Sequence, residues 1–285
     1  MSRRPEVGQR MIYNLAGSRM GPGLMALANR LPLPISRLAV RVGGHTMSGH
    51  TLDRLLALLF WKFSVLEGYE RRLVRQFVQP GMCAVDIGAN VGLYTLLLAE
   101  CVGDQGRVWA FEPEPAARCR LQANVDRNWY GERVTTVDRA VSRFTGGGTL
   151  YLSESNQGDH ALHERHGRAR ASVPVQMVSL DDFFSPGQPV DFLKVDAQGA
   201  EALVVRGAER VLLEQPHVCL LLEFSPEGLR MAGSSSGELL GLLRRCGLTL
   251  EHVDAARQSL VRIDAADGDV ELCTGSSETS ILAWK

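Results

Sequence analysis

The six cysteines of this chain, at 83, 101, 119, 219, 246 and 273, are scattered, and no two form a C-x-x-C pair. That spacing excludes a disulfide framework or zinc site of the usual kind. Several fall in stretches that read as strand or helix interior, so they are expected to be reduced core thiols in a cytoplasmic protein. No internal repeat is visible. Long apolar runs are also missing: Ile12 to Ala16 is too short for a signal-peptide core, and Pro22, Pro32 and Pro34 break the next stretch, so no secretory or transmembrane segment is supported. There is no basic, aromatic-studded stripe, and the chain outside its leader is acidic, which argues against nucleic acid as a partner.

What remains is an ordinary globular composition, 285 residues with 22% charged and 45% apolar side chains, enough for one doubly wound core with appendages. The near-neutral net charge of -1 conceals an asymmetry. Arginines 3, 4, 10, 19, 30, 37 and 41 face one acid, Glu6, in the first 45 residues. Such a leader is either a solvated segment or one attracted to anionic lipid or an anionic substrate.

The most informative stretch is AVDIGANVGLYTLLLAE, residues 84–100. A short apolar run ends in Asp86, turns through Gly88, Asn90 and Gly92, and continues with Leu93, Leu96, Leu97 and Cys101 at helical spacing, which reads as strand, turn and helix. Glycine lets the backbone approach a ligand there, and the helix start offers unpaired N–H groups. A second apolar strand, RVWAFEPEP, follows and places Glu112 twenty residues beyond Gly92, the spacing expected of an acid that grips a ribose diol. The turn lacks the G-x-G-x-x-G pattern, and Asp86 would repel a pyrophosphate but welcome an ammonium group. Ammonium, main chain and ribose together fit S-adenosylmethionine better than NAD.

With LKVDAQGAEALVVRGAE (193–209) and LLLEFSPEG (220–228), these blocks resemble the FkbM-type methyltransferases, class I enzymes that use S-adenosylmethionine and often O-methylate natural products and glycans. The likeness covers roughly residues 65–226, and Gln198 stands where that family often has Glu. It implies an α/β, Rossmann-like fold: a mostly parallel seven-stranded sheet with an antiparallel last strand and helices on both faces; apolar spacing adds an N-terminal helical extension, and Gly146-Gly147-Gly148, TLYLS and the alternating SVPVQMVSL add a β insertion before the fourth core strand. Residues 1–80 are then a basic leader and cleft-closing extension, and 81–285 the methyltransferase domain with its insertion at about 143–190.

Along the chain, apolar spacing predicts helices over 52–63 and around Tyr69 to Val78, the second stopping at Pro80-Gly81. Trp61, Tyr69 and Glu70 are candidates for the cleft wall, or for plain packing and surface pairing. A helix with Leu121, Val125 and Trp129 inward is expected after Glu112, then a strand ending at Asp138. In the resembled family the piece holding Ala140 and Val141 runs beneath the adenine, and Asp138 is read either as a ligand of its amine or as a turn cap. His160, His163 and His166 share one face if helical, but Arg165, Arg168 and Arg170 argue for a solvated loop; His160 or His163 acting singly as a base stays open.

The fourth strand, VDFLKVD, carries Lys194 and ends at Asp196, and the fifth ends at Glu223. A buried strand lysine must pair with a carboxylate or lose its charge. Asp86, Glu112, Asp138, Asp196 and Glu223 thus mark successive strand ends, where open α/β sheets bind ligands. The expected reaction is methyl transfer to a hydroxyl of a small-molecule or glycan acceptor, with Asp196 as base, Lys194 as its partner, and His160 and Glu223 as further candidates. A divalent metal at Asp196 and Glu223 is the lesser alternative. Three other readings stand beside it: an N-methyltransferase, a non-catalytic S-adenosylmethionine-binding module, and an NAD-dependent oxidoreductase. The sequence carries no signal of oligomeric state.

Overall fold

Apolar runs too short for helices become strands here, and those covered on both faces by helices run parallel. The computed structural model describes residues 39–42, 44–48, 65–153, 160–163, 171–264 and 278–285. The helix expected over 52–63, Trp61, most of the leader, His166 with its arginines, and Cys273 lie outside them.

The main sheet holds β3 (Cys83–Ile87), β4 (Arg107–Phe111), β5 (Val134–Val137), β9 (Phe192–Val195) and β10 (Cys219–Phe224), all parallel. β13 (Thr279–Trp284) enters antiparallel between β10 and β11 (Thr249–Asp254), and β12 (Ser259–Arg262) closes the edge. The order is β12-β11-β13-β10-β9-β3-β4-β5. Sequence reading expects seven strands; among the described residues the sheet has eight, because β12 folds back on β11 as a hairpin and adds an edge.

One face is covered by α1 (Val65–Phe77), α2 (Leu93–Val102) and α3 (Pro115–Arg127), whose Leu73, Leu97 and Leu121 are buried with Ala84 and Leu221 of the sheet. Burial of each such leucine contributes roughly 2 kcal/mol. The other face is covered by the short α4 (Leu180–Phe183), α5 (Glu201–Arg206), α6 (Glu209–Glu214) and α8 (Ser236–Arg245). Sequence reading expects one helix over 200–213; the break falls at Gly207, where an added Cβ would lie 2.0 Å from the Ser142 carbonyl oxygen. The second piece receives a start of its own, since the Asp181 carboxylate, on α4, accepts the N–H groups of Arg210 and Val211 at 3.0 and 2.9 Å.

Side-chain caps fix several of the other helix starts. Glu114 accepts from Ala116 and Ala117 at the head of α3, and Ser235, within the GSSSG run, accepts from Glu238 at the head of α8. Trp129, expected inward, is instead 89% exposed: α3 has ended, and its φ of 61° turns the side chain out.

The insertion does not join the main sheet. β6 (Arg139–Val141), β8 (Ser172–Val178) and β7 (Gly146–Tyr151) make a separate three-stranded sheet, β6 parallel and β7 antiparallel to β8. A short hairpin, β1 (Val40–Val42) and β2 (His45–Met47), is not announced by the basic composition of the leader. It is laced to α3 by Asn124 and Asn128, one helical turn apart, whose amides pair with the main chain of Ser48 and Thr46. The five cysteines within the described residues are all free thiols.

Candidate active site

The carboxyl ends of β3, β4 and β9 open into one cleft of about 200 Å³. Its floor is the turn from β3 to α2. Gly88 has φ +78° and an added Cβ would lie 1.9 Å from the Asp196 carbonyl oxygen, so the glycine is demanded by the neighbouring strand end as well as by any ligand. The Gly88 and Ala89 N–H groups both donate to the Phe111 carbonyl at 3.0 Å, which holds the turn against β4. Asn90 has φ 48°, donates its N–H to Glu112 Oε2 at 2.8 Å, and leaves Oδ1 buried with no hydrogen-bond partner among the described residues. Gly92, φ +95°, sits at the head of α2 packed on Leu121.

Glu112, one residue past β4, is buried and accepts from the N–H groups of Asn90 and Glu114, both at 2.8 Å. Two such donors orient the carboxylate.

Asp86 and Lys194 lie opposite each other in the β3–β9 register. Both are buried, and both line the cleft. Asp86 accepts from Thr95 Oγ1 at 2.5 Å, and burial pushes its carboxyl up to about 6 against the pull of Thr95 and Lys194. For Lys194 burial works against the charge, yet Asp196, Glu70, Glu223 and Asp86 together hold its ammonium above the ordinary lysine value. The lysine is therefore charged, not neutralised. Its Nζ lies 4.9 Å from the centroid of the Tyr94 ring and reaches the Val195 carbonyl at 3.4 Å. Tyr94 in turn donates to Glu70 of α1, which also accepts from Ser280 Oγ of β13 at 2.5 Å.

Asp196 follows β9 and lines the cleft. Gln198 Nε2 donates to Asp196 Oδ1 at 2.8 Å and to Glu223 Oε2 at 3.1 Å, joining the two carboxyls. Burial, then the charge of Asp196, raises the Glu223 carboxyl well above its ordinary value. No cluster of three or more metal-ligating side chains occurs among the described residues.

The small sheet supplies the opposite wall through Arg139, Ala140, Val141 and Leu150, joined by His160 and Leu162. His160 Nδ1 accepts from the Ser153 N–H at 2.9 Å, which leaves the proton of a neutral ring on Nε2. A base role there requires that bond to break. The cleft thus gathers Asp86, Gly88, Asn90, Glu112, Ala140, Val141, His160, Lys194 and Asp196. Gly92, Asp138 and Glu223 are not on its lining, Glu223 reaching it through Gln198. Tyr94 and Glu201 escape sequence reading: the partner of Tyr94 is distant in the chain, and Glu201, whose bonds are to the turn just before it, shows in the sequence only as an acid at the head of a helix.

Residues 86–250 match the family described as the methyltransferase FkbM domain. Methyltransferase sdnD of Sordaria araneosa is 28% identical over 177 residues, covering 51% of this chain and 68% of that protein. Methyltransferase 1 of Beauveria bassiana is 29% identical over 144 residues, covering 44% of this chain and 57% of that protein. Among solved structures, methyltransferase FkbM of Methylobacillus flagellatus KT aligns at 17% identity and a TM-score of 0.43, over 95% of this chain and 60% of that one.

Proposed function

We infer, for a chain that belongs to the FkbM methyltransferase family, that the cleft takes S-adenosylmethionine and that the reaction is O-methylation of a small-molecule natural product or a sugar. The residues present fit that donor. Asp86 meets an ammonium group, Glu112 a ribose diol, the unpartnered Asn90 Oδ1 a further donor, and Ala140 with Val141 an apolar adenine face. When bound, S-adenosylmethionine supplies an electrophilic methyl carbon on sulfonium.

The observation that carries the reading is Asp196 on the cleft lining, joined to Glu223 through Gln198, with the Lys194 ammonium in the same cleft. An alcohol is scarcely ionised at neutral pH, so its proton must leave as the new bond forms. Of the two carboxyls Asp196 is the one on the cleft lining, and it is placed to accept the proton from the substrate. The Lys194 ammonium, fixed and desolvated, stabilises the negative charge that grows on the hydroxyl oxygen. Alignment of the reacting groups in a partly dry cleft supplies much of the remaining rate. An amine acceptor has no need of so strong a base, and this is what favours oxygen.

Calorimetric titration with S-adenosylmethionine and S-adenosylhomocysteine, with Asp86→Ala, Glu112→Ala and NAD as controls, tests the donor. Micromolar binding lost in both variants supports it and opens an acceptor screen with glycosides and polyketides. Binding of NAD alone, or of nothing, overturns it.

A further inference from the structure

The turn between β9 and α5 is secured by a carboxyl that the reaction above does not use. Gln198 and Gly199 are consecutive left-handed residues, with φ 52° and 99°. A Cβ on Gly199 would lie 2.4 Å from the Gly228 carbonyl oxygen, so this bend is pressed on the first turn of α7 (Pro226–Met231). For a glutamine that conformation persists only where the surroundings impose it.

Glu201 imposes it. The residue opens α5 and is 1% exposed. Its Oε1 accepts the N–H of Ala197 at 3.0 Å and the N–H of Gly199 at 3.1 Å, the two residues that flank Gln198. Its Oε2 is buried with no hydrogen-bond partner among the described residues. With both flanking amides fixed, the Gln198 side chain reaches the two carboxyls and commits its Nε2 to them, at 2.8 Å to Asp196 and 3.1 Å to Glu223. Both contacts are to carboxyl oxygens, which sets the amide with its nitrogen toward them and its carbonyl away.

We propose that Glu201 is a positioning residue: through the Ala197 and Gly199 amides it holds Gln198 between Asp196 and Glu223, and so sets which oxygen of Asp196 turns to the cleft. The inference rests on the methyl-transfer reading for what Asp196 then does, but not for how it is held.

Protonation tunes the hold. Burial above all, with the charge of Asp196 added, pushes the Glu201 carboxyl up to about 7, while Glu223 on the adjoining strand feels Glu201 as a like charge. Lys194 is the cation of this group, and it answers Asp196, Glu223, Asp86 and Glu70. As a carboxylate, Glu201 makes two charge-assisted bonds to the turn; as an acid, it makes two weaker ones.

Amide NMR of the full 15N-labelled chain tests this, comparing wild type, Glu201→Gln and Glu201→Ala, with Gln198→Ala to identify the Gln198 side-chain signal. In wild type the Ala197 and Gly199 amides should shift together, with a midpoint near 7. Glu201→Gln keeps an acceptor at Oε1 and should abolish that titration while leaving the Gln198 side-chain signal in place. Glu201→Ala should move that signal to the position of a solvated glutamine. An unmoved Gln198 signal in Glu201→Ala, or an unchanged titration in Glu201→Gln, overturns the proposal; if Glu201→Ala does not fold, Glu201→Gln decides alone. A wild-type chain that fails to bind S-adenosylhomocysteine overturns the methyl-transfer reading and leaves the result on the turn standing.

Discussion

Asn124 and Ser48 exchange two hydrogen bonds, the Ser48 N–H donating to Asn124 Oδ1 at 2.9 Å and Asn124 Nδ2 donating to the Ser48 carbonyl at 3.2 Å. The same Nδ2 also reaches the Val91 carbonyl at 2.9 Å, inside the turn that floors the cleft. One buried amide therefore ties a helix, a strand end and the candidate cofactor turn together.

Replacing Asn124 by Ala removes its bonds to the Ser48 N–H and to the Ser48 and Val91 carbonyls in the interior. The expected loss is about 2–4 kcal/mol, because groups left buried and unpaired bear their full desolvation cost. Asn128→Ala, at a more exposed contact, should cost about 1 kcal/mol. Urea denaturation of the two variants checks the order.

Asp196→Asn removes the proton acceptor while keeping the shape and the Gln198 contact. Turnover should fall by at least ~100-fold with S-adenosylhomocysteine affinity changed by less than about threefold. Calorimetry together with a labelled-methyl transfer assay, once an acceptor is found, separates the two quantities.

Lys194→Met takes away the cation that answers Asp86, Asp196, Glu70 and Glu223. Loss of one partner from a buried charge group costs about 3–5 kcal/mol. The penalty should be larger near about pH 8 than near about pH 5.5, since acids that can take up protons relieve it. Denaturation at the two pH values tests the difference.

Asp86 and Glu201 titrate in the folded chain at about 6 and about 7, and Glu223 is raised well above its ordinary value. The folded state therefore binds these protons more tightly than the unfolded one. Their contribution is full below the unfolded carboxylate range and is lost as pH rises through the folded values. Lys194, also raised, loses its contribution only at alkaline pH. From wild type to Asp86→Asn, the fall in stability between about pH 4 and about pH 7 should shrink by a few kcal/mol at most, since each tenfold gain in proton affinity on folding is worth about 1.4 kcal/mol. An equal slope in both proteins would refute the assignment.

Local sequence carries the strand, turn and helix around Asp86 and the acid at Glu112, since both depend on residues within one βαβ unit. It carries the strand ends at Lys194, Asp196 and Glu223 for the same reason. It does not carry the outward turn of Trp129, which depends on where α3 stops, or the hairpin at 40–47, whose Thr46 pairs with the distant Asn128. For Gly88 the sequence gives closeness to a ligand as the reason, while the fold adds a second, the Asp196 carbonyl across the sheet. Glu70 meets Tyr94 and Ser280, and nothing in the spacing of those residues foretells that they share a carboxylate.

The place of β13 bears on the order in which the molecule can assemble. β10 and β11 are complete by residue 254, yet their inner edges can be satisfied only by residues 279–284. During synthesis the sheet must wait with a gap in it, its two flanking strands exposed as open templates. Ser280 arrives with the late strand and fastens Glu70 of α1, which in turn holds Tyr94 over Lys194. The cleft thus waits on residues 279–284, and a nascent chain with every cleft residue already translated would still lack a settled wall.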